Sequence, residues 1–408
     1  MTTSSKSSPK QRRRLLVGAA FAASIFAFPA MGGTLRDAVE GAWRLNPDIK
    51  NLEARRHQST AQRGAGEALF PAAPVVTLRH VSDTLGKNAG RREYEAEIGV
   101  PLWLPGQGTA TIKAADTLSA RIDADIVVRR LAIAGEVRTA LWSAALAERR
   151  TQLVRQRLKI ARQLEADTAR TTQAGETSEA DLQLARAEAL AIAVDLREEE
   201  LALADAKLTF RTLTGMTPPK AVPEPAISEP PLDRHPLIVA ARLGVQTAQA
   251  QRKLVDISSR DYPEVGLAAR RERDVRGESF GTIVGMSVRI PFSVDAVNGP
   301  KRAEATIEVV KAEAEQSSAV RTVESDIRQA RSSLQAANDR LLISRDRAAA
   351  QKARLLHIEK ARKSGEIGLV ELVRAQAAVF EADLARTTIE IQLGAARARL
   401  NQSFGAAP

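Results

Sequence analysis

GETSEADLQLARAEA at 175–189 and GEIGLVELVRAQAAV at 365–379 stand 190 residues apart, and each opens on a glycine followed by a long run of Ala, Leu and charged residues. The same offset relates IGVPLW (98–103) to VRIPFS (288–293) and Gly215 to Gly405, while Pro47 in LNPDI and Pro236 in RHPLI correspond to within one residue. Self-similarity at a fixed offset marks a tandem duplication, so whatever fold one half adopts, the chain adopts twice. Between the halves, Met216 to Pro236 carries prolines at 218, 219, 223, 225, 230, 231 and 236. Proline lacks the amide N–H that a helix needs, so this stretch predicts an extended connector. The domain plan is a leader at 1–32, a first repeat at 33–215, a linker at 216–236 and a second repeat at 237–408.

Outward from the repeated glycines the chain reads as helix. Lys301 to Ser364 contains neither Gly nor Pro, and 64 helical residues at a rise of ~1.5 Å reach about 96 Å. Thr109 to Ala174 is interrupted only by Gly135, Glu176 to Thr214 by nothing, and Glu366 to Phe404 by Gly368 and Gly394. Apolar residues recur in them at helical spacing, as at Leu118, Ile122 and Ile126. Four long helices in two hairpins follow. Composition agrees: 44% of residues are hydrophobic yet only 3% are aromatic, which suits close-packed Ala- and Leu-rich helices.

Two segments in each half change period. EYEAEIGVPL (93–102) sets Tyr94, Ala96, Ile98, Val100 and Leu102 against Glu93, Glu95, Glu97 and Gly99, and FGTIVGMSVRI (280–290) sets Val284, Met286 and Val288 against Ile283, Gly285 and Ser287. Period two predicts a strand, with the apolar set on one face. The upstream partners are Val75 to Ser82 and Val265 to Arg273, joined by polar turns. Strands of about ten residues match a tilted membrane strand, and Tyr94, Phe280, Phe70, Trp103, Tyr262 and Phe292 cluster at these hairpins as interfacial aromatics do. Alternation alone leaves open a soluble hairpin cap on a helical bundle.

Residues 1–32 hold Lys6, Lys10, Arg12, Arg13 and Arg14, no acid, and the apolar run Leu15 to Ala30, the layout of a secretory leader cleaved before Gly33. Five of the formal +11 charges fall there, leaving +6, which argues against nucleic acid as a partner. There is no Cys, which excludes disulfides, thiolate metal sites and a cysteine nucleophile. His57, His80, His235 and His357 are scattered without triad or metal-ligand spacing and read as surface or interface residues. Gly106 and Gly108 form only G-x-G and read as a turn between strand and helix. Catalytic residues, cofactors and metal sites are all expected to be none.

Four strands cannot close a barrel within one chain, and open strand edges are prohibitive in lipid, so a symmetric oligomer is expected. Three copies pool about twelve strands.

From Leu35 to Gly405 the chain resembles the TolC family of outer-membrane efflux proteins. The resemblance rests on the duplicated order of helix, strand pair, long helix and returning helix. It rests also on the strand ends VPLWLPGQG (100–108) and IPFSVDAVNGPKRA (290–303), and on the turn motifs AGETSEADLQLARAEA (174–189) and SGEIGLVELVRAQAAVFEADL (364–384). It implies a mainly helical trimer with a shared 12-stranded β-barrel in the cell outer membrane, continuing into a periplasmic α-helical tunnel. The implied partners are a periplasmic adaptor (membrane fusion) protein and an inner-membrane efflux pump of the resistance-nodulation-division type, with outer-membrane lipid around the barrel. Tyr94, Ile98, Val284, Met286 and Val288 then face lipid.

The resemblance also puts acidic residues at the tunnel tip. Glu371 stands where the family often has an acid; one turn on, where the family can have a second, this chain has Arg374, which lies at i, i+3 spacing for a pair with Glu371. Asp181 matches Glu371 in the first half, though Ser178 and Asp181 also have capping-box spacing. Gly175 and Gly365 are expected to turn through positive φ. The alternative function is a secreted or periplasmic coiled-coil scaffold or adaptor without a channel, a reading that leaves the strand hairpins without purpose.

Overall fold

A computed structural model describes residues 33–408; the leader assigned to 1–32 lies outside the described residues. The chain runs through α1 (Leu35–Leu45), α2 (Asp48–Glu67), β1 (Val75–Ser82), β2 (Arg92–Pro101), α3 (Gln107–Gln173) and α4 (Glu179–Thr214). After the connector come α5 (Pro236–Ile257), β3 (Glu264–Arg273), β4 (Gly281–Arg289), α6 (Asp295–Lys363) and α7 (Leu369–Ser403). Among the described residues no helix is long and apolar enough to cross a membrane.

With 67 and 69 residues, α3 and α6 each run about 100 Å at a rise of ~1.5 Å per residue. Their seams explain why they pair. In α6 the buried residues Ala305, Val309, Ala312, Ala319, Val323, Ala330, Ala337, Leu341, Ser344 and Ala348 follow steps of three, four and seven. That 3.5-residue period keeps one stripe facing a partner along the whole length, as in a coiled coil. Alanine at so many of these positions lets the backbones approach closely. Val154, Leu158 and Ala161 of α3 likewise meet Ala189, Ile192 and Leu196 of α4. Between the hairpins, α3 lies on α7, where the Trp142 ring occupies the space that a side chain at Gly394 would need.

The repeats are joined by the connector as well as by packing. Arg138 of α3, 4% exposed, holds Glu224 of the connector through Nε–Oε1 at 2.7 Å and Nη2–Oε2 at 2.9 Å. Its third nitrogen donates to Gln402 and, at 3.1 Å, to the carbonyl of Ala406. Asn401 donates to Glu224 Oε2 at 3.1 Å and to the Pro225 carbonyl at 3.0 Å. A buried charge pair of this kind is stable only when its remaining donors and acceptors find partners, which two residues at the end of α7 supply.

Several boundaries differ from the sequence reading. The third long helix, α6, begins at Asp295 and not at Lys301, carrying Pro300 inside it. An early-turn proline forfeits one backbone bond, to Ala296, without ending the helix. The returning helices start at Glu179 and Leu369, three residues later than expected, because Ser178 and Gly368 are their extended N-caps. The connector is irregular only to Pro231; Leu232–Arg234 form a 3-10 turn and Pro236 is the first residue of α5, where a missing N–H costs nothing. Gly108, expected in a turn with Gly106, lies within α3.

His235, read from the sequence as a surface or interface residue, is buried within the chain and caps α5, its Nδ1 accepting the Leu237 N–H at 3.3 Å. Burial lowers its pKa, against a smaller opposing pull from Asp326. The unfolded chain therefore takes up a proton at a higher pH than the folded chain. Stability from this group is complete above the ordinary histidine pKa of ~6.5 and falls as pH drops through the folded value. Thermal melting of wild type should shift down on acidification from about pH 7 to pH 5, and His235→Asn, which keeps a capping oxygen, should show a shallower dependence; parallel curves would contradict this.

Candidate functional site

Two parts of the molecule carry the sequence-predicted residues: the four-stranded sheet and the far end of the helical hairpins. The sheet has the order β1-β2-β3-β4, antiparallel throughout, so β1 and β4 are open edges. The register places Val76 opposite Ile98, Ile98 opposite Leu267 and Leu267 opposite Met286. Ala269 likewise lies between Ala96 and Val284, and Val265 between Val100 and Val288. Because residues two apart along a strand share a face, Tyr94, Ile98, Val284, Met286 and Val288 stand together on one apolar surface. Val284, Met286 and Val288 are 68, 76 and 60% exposed, so nothing among the described residues covers them.

Aromatic groups sit at both ends of this surface. Near the turns, His80 stacks on Tyr94 at 4.6 Å and Tyr94 lies 6.1 Å from Phe280; near the helices, Trp103 meets Tyr262 at 6.3 Å. The nine steps from Tyr94 to Trp103 span about 30 Å along the chain at ~3.3 Å each. At the tilt of a membrane barrel that becomes a band of roughly 25 Å.

The opposite face is charged, and its charges are paired across strands. Arg79 lies 3.6 Å from Glu95, Arg270 3.6 Å from Glu93 and, along its own strand, 3.3 Å from Glu272, and Arg289 2.9 Å from Glu264. Ser287 donates to Glu97 at 2.7 Å. The sequence showed this face only as an alternation of glutamates; their arginine partners come from other strands.

At the other end, Gly175 and Gly365 adopt φ of 76° and 78°. Each closes a helix by the same pair of bonds: Gly175 N–H to Thr172 O and Glu176 N–H to Thr171 O, both 2.9 Å, and Gly365 N–H to Arg362 O and Glu366 N–H to Ala361 O, both 3.0 Å. The two turns lie side by side, since Ala185 of α4 packs with Leu369 and Leu372 of α7. Asp181 and Glu371 thus sit in the first turns of neighbouring helices. Ser178 Oγ accepts the Asp181 N–H at 3.1 Å, half of the expected capping box. Arg374 Nη1 reaches Glu371 Oε1 at 2.8 Å, an exposed pair within one turn. Among the described residues no hydrogen bond or ion pair links Asp181 to either, and no group of three or more potential metal ligands assembles.

Residues 229–406 match the sequence model of a family described as outer membrane efflux protein. This part of the chain is similar to outer membrane efflux proteins. The match covers α5, both strands of the second repeat and the hairpin α6–α7. That family is described as one of efflux proteins of the outer membrane.

The efflux-protein architecture extends beyond that domain. The Campylobacter jejuni CmeC outer membrane channel superposes with a TM-score of 0.72 over 91% of this chain and 85% of its own, at 15% identity. The outer membrane protein VceC of Vibrio cholerae gives 0.71 over 91% and 96%, at 16% identity. The Neisseria gonorrhoeae MtrE outer membrane channel in its open state gives 0.68 over 91% and 89%, at 15% identity. At such identities the likeness establishes the fold of the chain: long helical hairpins with a four-stranded sheet at one end. No curated protein sequence matches the chain.

In this efflux fold the turn glycines carry a direct expectation. An L-residue forced into left-handed geometry costs roughly 1–2 kcal/mol, so Gly175→Ala and Gly365→Ala should each lower the helical melting temperature. Gly299→Ala, inside α6 with open space around it, should leave it unchanged or raise it. Equal effects of the three substitutions would contradict the turn geometry.

Proposed function

We propose that three copies of this chain form a passive duct that carries small toxic compounds or metal ions through the outer membrane, fed by a periplasmic adaptor and an inner-membrane pump. The observation that carries this reading is the open four-stranded sheet, apolar on one face and charged on the other. Strand edges unpaired in lipid are too costly to persist, so the edges must meet those of further copies. Three chains pool about twelve strands, within the range of membrane barrels. The charged face then lines water and the face of Tyr94, Ile98, Val284, Met286 and Val288 meets lipid.

The helices support the same assembly. They lie in the row α4, α3, α7, α6, and the outer members leave apolar stripes uncovered. On α4 these are Leu190, Val194, Leu201 and Leu208, and on α6 Leu342, Ile343 and Leu356. Two different uncovered edges fit a head-to-tail contact that closes into a ring. The domain plan of a leader at 1–32, repeats at 33–215 and 237–408 and a linker at 216–236 belongs to this reading, with the duplicated halves supplying alternate helical pairs around the tunnel.

The tip then narrows where Glu371, Arg374 and Asp181 stand. Three copies of Glu371 converge toward one axis, and like charges brought together there repel or bind a cation. The pairing of Arg374 with Glu371 partly neutralises that ring, and adaptor contact with the turns at Gly175 and Gly365 would compete with it.

Light scattering on detergent-extracted protein should give a trimer, and a monodisperse folded monomer would overturn the assembly. Val284→Arg should destabilise the inserted barrel by about 2–4 kcal/mol if it lies near the midplane, and lower outer-membrane yield; unchanged yield and assembly would favour a soluble hairpin. In planar bilayers Arg374→Ala should raise the conductance of the resting duct, and Glu371→Ala should weaken block by divalent cations. Traces identical to wild type for both would show that these residues only solvate a helix surface.

A further inference from the structure

On the apolar face of the sheet the only formal charges are three arginines, all at the end nearest the turns. Arg92 of β2 lies directly opposite Arg273 of β3, and Arg271 is two residues along from Arg273, opposite Tyr94. All three therefore share the face of Tyr94, Ile98 and Met286. No Asp or Glu of the four strands stands on this face. The contrast with the other face is sharp, since there Arg79, Arg270 and Arg289 each have a carboxylate partner. Among the described residues, Arg92, Arg271 and Arg273 form no ion pair, and Arg273 makes a single hydrogen bond, from Nε to the Gly90 carbonyl at 3.2 Å.

The nearby turn carboxylates are occupied elsewhere. Asp83 accepts the Gly90 N–H at 3.2 Å, Glu278 accepts the Val275 N–H at 3.3 Å, and Asp274 lies 3.9 Å from Arg91. What two of the three arginines do have is an aromatic floor. The Phe280 ring lies 5.0 Å from the Arg271 guanidinium carbon and 4.9 Å from that of Arg273, with Tyr94 and His80 beside it. Stacking fixes the planes of two guanidinium groups while leaving their N–H edges free. Like charges directly across a pair of strands are destabilising unless an anion stands between them.

We propose that Arg92, together with Arg271 and Arg273 held over Phe280, forms a binding site for the phosphate groups of a phosphorylated lipid in the outer leaflet. This rests on the outer-membrane reading above, in which the turns face outward because the long helices leave from the other end of the strands. The position selects lipid over free phosphate: the site opens at the rim of the apolar band, so a bound headgroup keeps its acyl chains against Ala269, Leu267 and Ile98 directly below. A guanidinium offers the planar fork that phosphate oxygens accept in pairs. All three residues lie on the two central strands, so the site is complete within one chain.

The test uses the purified detergent-extracted protein and native mass spectrometry, with added lipid A carrying both phosphates or stripped of both. Wild type should retain the phosphorylated lipid about tenfold more tightly, equivalent to one charge-assisted contact or more, and an excess of inorganic phosphate should displace little of it. The combined variant R92Q/R271Q/R273Q should lose that preference, while R289Q on the charged face keeps it. Equal retention of both lipids by wild type overturns the proposal without depending on any variant. So does a preference unchanged in the combined variant, and full displacement by inorganic phosphate would assign a free-phosphate site instead. A trimer without phosphate preference defeats this inference alone, whereas a detergent-free soluble monomer defeats the outer-membrane reading with it.

Discussion

A sheet of four strands with both edges open and one face apolar is not a finished object in any solvent. In water its apolar face is exposed; in lipid its edge amides and carbonyls are unpaired. The remaining architecture answers that constraint. In the proposed assembly further copies supply strands to β1 and β4, and the helical body repeats around an axis. The row α4, α3, α7, α6 meets that requirement, since its interior contacts are closed within the chain and its two outer helices are left with apolar stripes.

The seams between helices are built for length. Alanine at position after position along α6 gives a shallow, uniform interface in which no single contact dominates, and the seven-residue step keeps that interface in line over about 100 Å. Such a seam has little to stop one hairpin sliding along another. The bulky contacts are consequently informative: Trp142 seated over Gly394, and the junction of Arg138, Glu224, Asn401 and Gln402. Both join the first repeat to the second, and the junction includes the connector, so the proline-rich segment acts as a tie between halves as well as a link.

The two faces of the sheet solve different electrostatic problems with the same residue type. Toward the charged face, arginine is neutralised by glutamate from a neighbouring strand. Toward the apolar face, arginine appears only at the outer rim and stacks on an aromatic ring. A barrel wall needs that asymmetry, because a cross-strand pair is stable beside water, whereas a lone cation on the lipid side is tolerable only at the level of the headgroups.

Periodicity alone determined most of the secondary structure. The change from a period of 3.6 to a period of two marked β2 to within a residue, with the less clearly alternating Val75–Ser82 placed as its upstream partner, and the 190-residue offset revealed the duplication, including the paired turns at Gly175 and Gly365. These features are local, and local sterics and hydrogen bonding are written in neighbouring residues. The pairing of Glu371 with Arg374 was legible for the same reason, being three residues apart on one helix. Only the tertiary structure placed Arg92 against Arg273 or Arg138 against Glu224, and only it buried His235. Those contacts join residues from 86 to more than 180 positions apart in sequence, where neither spacing nor composition carries a signal, and they are decided by strand register and by which helix lies beside which.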